Sequence, residues 1–253
     1  MNGTIDDIGY GKQFAPWYDR LFPKDDNALA TAQTLTSLHP DPSRGALEFG
    51  VGTGRIAIPL SQKIGHVTGL DSSPEMLELL AEDPTAAHVT GVHADIRTYI
   101  GDRTYPLVYA VCGILSMLLT PEDQQQAVRT AASLLEPGGR LVIETGNRPG
   151  VEALHEGLAR TTLFTPYAEP GTGLQTHSTL SPGSDLWHCS HVWYEADGTT
   201  RVGQELARLT TPDEVDAYAT AAGLVPEARY SDWNMSPYTS ECPLFVATYV
   251  TSS

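Results

Sequence analysis

Gly50, Gly52 and Gly54 alternate with Val51, Thr53 and Arg55 directly after a short, mostly apolar run, Ala46-Leu47-Glu48-Phe49, that carries one acid. Glycine accepts positive φ and lets a ligand approach the backbone closely, and the free N–H groups at the start of a following helix face such a ligand. A second apolar run, His66 to Leu70, ends in Asp71. A carboxylate there can accept hydrogen bonds from both hydroxyls of a ribose. These residues describe a site for a nucleoside-containing cofactor.

The spacing selects among nucleosides. A dinucleotide loop reads Gly-x-Gly-x-x-Gly and cradles a pyrophosphate. Here Gly54 follows Gly52 by two positions, and Glu48 precedes Gly50 by two. A carboxylate at that point repels a diphosphate but suits a ligand carrying a sulfonium and an amino group. The pattern Glu-x-Gly-x-Gly-x-Gly, with an acid closing the next strand, resembles the class I S-adenosylmethionine-dependent methyltransferases. Three further segments carry the likeness. Leu134 to Leu141 is similar to the family's turn before its fifth strand, Ala222-Gly223-Leu224 to the helix end before its sixth, and Val92 to Ile96 to its third-strand segment, where an acid approaches the adenine amino group. The resemblance runs over roughly Ala46 to Val250 and is nearest to bacterial small-molecule methyltransferases such as aminosugar N-methyltransferases, which share the Tyr18-Asp19 segment and a strand insertion after strand five.

The resemblance implies S-adenosyl-L-methionine as cofactor, bound by Tyr18, Glu48, Gly50, Gly52, Gly54, Asp71, Ser72, Met76, Asp95, Ile96 and Cys112. It implies methyl transfer to an O, N or C nucleophile of a small metabolite in specialised, antibiotic-type biosynthesis. Two alternatives stand beside it: an adenosylmethionine-binding protein that senses the cofactor or catalyses another reaction, and an NAD-dependent oxidoreductase, which the glycine spacing and Glu48 disfavour.

Methyl transfer from a sulfonium is an in-line displacement, so alignment and exclusion of water do most of the work. A hydroxyl or carbon acceptor also needs a base, whereas a neutral amine offers its own lone pair. Candidate catalytic groups are Glu144, at the end of the fifth strand, and His188 and His191, interleaved with Trp187, Trp193 and Tyr194 on a later one. Strand alternation places His191 with Trp187, Cys189 and Trp193, and His188 with Tyr194. No metal is expected, because no carboxylate or second histidine recurs at the spacing of a metal-binding helix or strand pair. Cys112, Cys189 and Cys242 are odd in number and far apart, which fits neither a disulfide framework nor a zinc motif.

The elements that must hold these residues alternate. Ala46 to Phe49, Val67 to Leu70, Val89 to His93, Leu107 to Cys112 and Leu141 to Glu144 read as parallel strands, separated by helices Gly54 to Ser61, Pro74 to Ala81 and Pro121 to Leu134, with Asp26 to Leu38 closing over the sheet. Leu174 to Leu180, Leu186 to Tyr194 and Arg201 to Leu209 are rich in strand formers and read as an antiparallel meander. A helix from Thr211 and strands near Ala228 to Asp232 and Leu244 to Tyr249 finish the chain. The expected fold is α/β, a Rossmann-like, mostly parallel seven-stranded sheet with helices on both faces and a small antiparallel insertion after strand 5. It forms one domain over 1–253, with an N-terminal helical lid over 1–40, which contains Tyr10, Phe14, Trp17, Tyr18 and Phe22, and the insertion over 165–210 roofing the active site.

Charge narrows the partners. Lys+Arg 15 against Asp+Glu 31 gives a net −16 with no basic cluster, which argues against nucleic acid and anionic membrane surfaces. No apolar run reaches the length of a membrane span, and Met1 to Tyr10 lacks the basic and apolar parts of a signal peptide. A cytoplasmic enzyme with a small-molecule substrate is expected, with the meander available as an interface for a homodimer.

Overall fold

The computed structural model describes residue 5 and residues 9–251. Most of the stretch read for a signal peptide therefore lies outside the described residues. The chain begins with α1 (Tyr10–Phe14), a 3₁₀ turn (Ala15–Trp17), α2 (Tyr18–Leu21) and α3 (Asp26–Leu38). Then come β1 (Ala46–Phe49), α4 (Ala57–Ile64), β2 (Val67–Asp71), α5 (Pro74–Glu82), β3 (Val89–His93) and β4 (Tyr105–Ala110). A 3₁₀ turn (Ile114–Met117), α6 (Pro121–Ser133), β5 (Leu135–Gly146) and α7 (Arg148–Leu154) lead to β6 (Arg160–Pro166), β7 (Gly173–Leu180), β8 (Leu186–Tyr194) and β9 (Thr200–Arg208). The chain closes with α8 (Pro212–Ala221), β10 (Leu224–Tyr230) and β11 (Leu244–Thr251).

Helix starts follow local chemistry. The Asp25 side chain accepts from the N–H groups of Asn27 and Ala28 at the head of α3, and Ser73 accepts from Met76 ahead of Pro74 in α5. Thr120 does the same for α6, and Thr211 with Glu214 forms a reciprocal capping box on α8. Helix α4 starts three residues later than its glycine-rich start predicts, at Ala57. Gly54 is taken up by a turn, its N–H donating to Val51 O at 2.9 Å, and contributes only a carbonyl to the first helical bond, from Ile58 N–H at 2.9 Å.

The main sheet has seven strands in the order β10-β11-β5-β4-β1-β2-β3. Pairs β3-β2, β2-β1, β1-β4 and β4-β5 are parallel, and β11 is antiparallel to both β5 and β10. β1 lies between β2 and β4, so its carboxyl end sits centrally in the sheet, where ligands of open α/β sheets bind. One face packs Leu47, Phe49, Val108 and Ile143 against α6 and α8, with Val128 and Val215 from those helices. The other packs Ala46, Leu107, Tyr109 and Val142 against α3 and α4, with Leu35 and Leu60. Successive strand residues alternate between these two layers.

The insertion is a four-stranded antiparallel sheet, β6-β7-β8-β9. It begins one strand earlier than the expected 165–210: β6, over Arg160–Pro166, has Thr161, Thr162, Phe164 and Thr165 to favour extension but no flanking alternation to reveal it. A third apolar cluster joins it to the N-terminal segment through Phe14, Trp17, Leu21, Met76 and Trp193. Within the expected lid over 1–40, α3 belongs to the sheet's covering layer, and the aromatic residues of 10–22 form the part that meets the insertion. Among the described residues, no helix is long and apolar enough to cross a membrane.

Candidate active site

A cavity with about 1000 Å³ of space, mouth included, opens at the carboxyl ends of β1, β2 and β4. Its wall contains Tyr18, Glu48, Gly50, Gly52, Asp71, Ser72, Met76, Asp95, Ile96 and Cys112, ten of the expected cofactor residues, brought together from distant parts of the chain. Gly54 lies outside this lining. Its φ is +81°, and an added Cβ would sit 2.6 Å from Leu80 and 2.9 Å from Ile58, so its role is to let the loop pass close to α4 and α5. Gly52 is the contrasting case. At φ +52° it has nothing within 4 Å of an added Cβ, so its bare face looks onto open cavity.

Asp71 ties this loop to the next strand. One carboxylate oxygen accepts from Gly52 N–H at 2.7 Å and the other from Ser73 N–H at 2.9 Å. Ribose recognition is therefore only part of what the position can do, since the same side chain holds the backbone that a ligand would touch. Ser73, rather than Ser72 or Asp71, caps α5, which leaves Ser72 on the cavity wall. Glu48 is 2 % exposed and accepts from the Tyr109 hydroxyl at 2.9 Å. Burial holds its carboxyl well above the usual carboxylate range, against the opposing effect of the Tyr109 hydrogen bond, with the nearby Asp71 charge adding to the rise. A ligand cation placed beside it would favour the ionised form. Asp95 is engaged by the Arg97 guanidinium, with Nη2 at 2.6 Å, and Arg97 also reaches Asp123 at 3.2 Å.

The far wall is strained. Cys112 and Gly113 both adopt left-handed backbone, at φ +58° and +73°. Such a conformation is uncommon for a residue with a Cβ and persists where neighbours hold it. Glu144 supplies the hold: one of its oxygens accepts from Cys112 N–H at 2.6 Å and the other from Trp233 Nε1–H at 2.9 Å. The Cys112 thiol is accessible from the cavity yet enclosed by protein, and burial, reinforced by the Glu144 charge, pushes it up to about 12. Arg55 Nη1 stands 3.3 Å from its sulfur.

The candidate catalytic residues sit elsewhere. Glu144 does not line the cavity, because both of its oxygens are turned to Cys112 and Trp233, and burial raises its carboxyl above the usual range. His188 is exposed on the outer face of β8. His191 lies on the inner face as alternation predicts, but Phe14 packs edge-on to it at 6.2 Å, and Thr176 Oγ1 lies 2.9 Å from its Nδ1. Neither histidine reaches the cavity wall.

Residues missed as site candidates include Tyr10, Arg55, Met117 and Leu118, all on the wall. Arg55 had a signal, since it directly follows the last glycine of the loop. Tyr10 belongs to the aromatic run already noted, stacked on Phe14 at 4.4 Å and edge-on to Tyr18 at 6.3 Å. Burial raises the pKa of both phenols, which keeps them neutral hydrogen-bonding groups. The segment is anchored to the glycine loop by Thr53 Oγ1 donating to Asp19 at 2.5 Å.

Comparison with known proteins agrees with this geometry. Residues 46–139, from β1 to the turn within β5, match the family described as "Methyltransferase domain". The ubiquinone biosynthesis O-methyltransferase of Photorhabdus laumondii is 31% identical over 104 residues, covering 40% of this chain and 42% of that protein. The chain spans about half or less of the length of the curated relatives it matches. The structure of the CcbJ methyltransferase from Streptomyces caelestis superposes with a TM-score of 0.83 at 28% identity, covering 98% of this chain and 100% of that one. The sugar N-methyltransferase KedS8 from Streptoalloteichus shares the fold at a TM-score of 0.70 and 20% identity, over 100% of this chain and 98% of its own. The glycine loop and the acid closing β2 lie within the stretch that matches a methyltransferase domain, and the whole chain shares its fold with the CcbJ methyltransferase.

Proposed function

We propose that the chain transfers the methyl group of S-adenosylmethionine to a nitrogen of a small natural-product metabolite. The observation that carries the cofactor is the bare face of Gly52, open to the cavity and pinned by Asp71. In this reading Gly50 and Gly52 admit the cofactor to the backbone, Asp71 and Ser72 meet the ribose, Ala94 to Ile96 flank the base, and Glu48 and Arg55 balance the charges of the amino-acid part. The cofactor supplies an electrophilic methyl on a sulfonium. The residues of this chain bind it, orient it and exclude water.

Nitrogen is favoured by the character of the wall. Tyr10, Tyr18 and Cys112 all line the cavity, and burial holds each in its neutral, protonated form. No histidine lines it among the described residues. The carboxyl groups on the same wall are already engaged, Glu48 by Tyr109, Asp71 by Gly52 and Ser73 and Asp95 by Arg97, so the wall offers hydrogen bonds to an amine that brings its own lone pair but little help to an alcohol that must lose a proton. Neighbours in fold that are named for this chemistry, the sugar N-methyltransferase KedS8 and the amino pentose methyltransferase CalS10, support the same choice. Residues 10–22 act as the lid, since Tyr10 and Tyr18 on the wall are continuous with the aromatic cluster facing β8 and β9.

The test is a matched pair of acceptors, an amino sugar and the same sugar with hydroxyl in place of the amine, incubated with methyl-labelled S-adenosylmethionine and read by mass spectrometry. Label on the amine alone is expected. Label on the hydroxyl compound with none on the amine would overturn the choice of nitrogen.

A further inference from the structure

We propose that Cys189, His191 and Glu205 form a binding site for a divalent zinc-like ion on the inner face of the antiparallel sheet. Their ligand atoms, one thiol sulfur, one imidazole nitrogen and one carboxylate oxygen, all lie within 4.8 Å of one another. Along β8 alone only Cys189 and His191 share a face, which is why spacing within one strand shows no metal set. Pairing supplies the third ligand: Cys189 stands directly opposite Glu205 across β8 and β9.

Three features suit an ion better than mutual hydrogen bonding. His191 Nε2 and Glu205 Oε1 are 3.7 Å apart, too far for a hydrogen bond. A nitrogen and an oxygen bound to one tetrahedral zinc ion, each at about 2.0–2.2 Å from it, stand roughly 3.3–3.5 Å apart, so the pair needs to close by only a few tenths of an ångström. Next, Thr176 Oγ1, at 2.9 Å from His191 Nδ1, can accept from that nitrogen and leave the Nε2 lone pair turned to the cluster. An outer partner on the second ring nitrogen is the usual arrangement of metal-bound histidine. Lastly, Cys189 is only 2 % exposed and faces the Glu205 carboxylate directly across the strand pair, so the two anionic donors meet in a largely enclosed position. A doubly charged cation with one thiolate, one carboxylate and a neutral imidazole has no net charge, and binding it displaces the thiol proton to solvent.

The position gives the ion a use. It would clamp β8 to β9 directly under the N-terminal segment, because Phe14 packs on His191 and an added Cβ at Gly203 would come within 2.5 Å of the Phe14 ring. The site is separate from the cofactor cavity, so it does not depend on the acceptor assignment.

Zinc chloride titrated into the metal-stripped full-length protein tests it by calorimetry, with cobalt(II) as a spectroscopic probe. One equivalent per chain, a cobalt-thiolate absorption band and a raised Tm are expected. Cys189→Ser should weaken zinc binding by more than about 100-fold and abolish the cobalt-thiolate band, and Glu205→Gln should weaken binding by about tenfold or more. His188→Asn, on the outer face, should leave it unchanged. Circular dichroism of each apo variant separates lost ligation from lost folding, and Glu205→Gln, partly exposed, serves if Cys189→Ser does not fold. Absence of saturable binding at one equivalent, or binding that both Cys189→Ser and Glu205→Gln leave intact, would overturn the proposal.

Discussion

The carboxyl edge of the parallel sheet and the antiparallel sheet beside it are built by different means. At the edge, backbone conformation does the shaping: a run of left-handed glycines turns the chain, Asp71 receives two N–H groups, and Glu144 fixes the strained Cys112. In the antiparallel sheet, contacts between distant side chains do it. Phe14 sits against Gly203, Tyr167 against Trp193 at 4.5 Å, and Arg20 Nη1 donates to Glu195 at 2.9 Å. Arg208, 4 % exposed, joins the sheet to the main domain by reaching Gln124 at 2.7 Å, Glu214 at 2.7 Å and Asp185 at 3.1 Å. A site made by backbone leaves residue types at fixed spacing, whereas one made by cross-chain packing leaves only composition. On the proposed function, the first region holds the cofactor and the second, with the N-terminal segment, governs the acceptor.

The largest break is expected at the edge. Gly52→Val places a branched side chain at φ +52°, in the open space the cofactor needs. Affinity for S-adenosylhomocysteine should fall beyond detection, with far-UV circular dichroism largely retained. Next, Asp71→Ala removes the carboxyl group that accepts from two backbone N–H groups and, in the proposed binding mode, from the ribose. A loss of about 1–3 kcal/mol in cofactor binding is expected, or roughly 5- to 150-fold in Kd by calorimetry.

Gly203→Val probes the other region. Its side chain would collide with Phe14 and Trp17, so overpacking should cost about 1–3 kcal/mol of stability by chemical denaturation. The comparison predicts a raised KM for acceptor with the Kd for cofactor nearly unchanged. An equal loss in both would erase the proposed division.

The smallest effect is a pH dependence at Glu48. Its pKa is raised in the fold by burial, so the folded protein holds this proton more tightly than the unfolded chain. The group therefore stabilises the apo protein below its unfolded pKa, and that contribution is lost as pH rises through the folded value. A cationic ligand favours the ionised form, so cofactor binding should release a proton and tighten with rising pH over the same window. Calorimetry in buffers of different ionisation enthalpy reads the proton count, and Glu48→Gln should remove it.

Legibility follows the same divide. β1, α3, β3 and β8 run over the residues that periodicity and capping predict, and the cavity collects ten of the eleven cofactor candidates from the first half of the chain. Gly54 stands outside the wall because its glycine serves packing against Leu80 and Ile58, a demand that looks identical in sequence. Glu144 reaches the right strand end, yet its oxygens go to Cys112 and Trp233, and Trp233 approaches from far along the chain. His191 has the predicted facing, but Phe14 occupies the space in front of it. β5 begins at Leu135, before the turn expected ahead of the fifth strand, because Leu135 pairs with Tyr105 and the register shifts by Arg140. Each of these outcomes depends on a partner distant in sequence, which local pattern does not encode.

The central claim is that the glycine loop holds S-adenosylmethionine and not a dinucleotide. Isothermal titration of the purified protein with S-adenosylhomocysteine, with NAD as the control ligand and Gly52→Val as the control protein, tests it most directly. Saturable micromolar binding of S-adenosylhomocysteine to the wild type only, with no heat from NAD, is the predicted result; binding of NAD in its place, or an unchanged affinity in Gly52→Val, would contradict it.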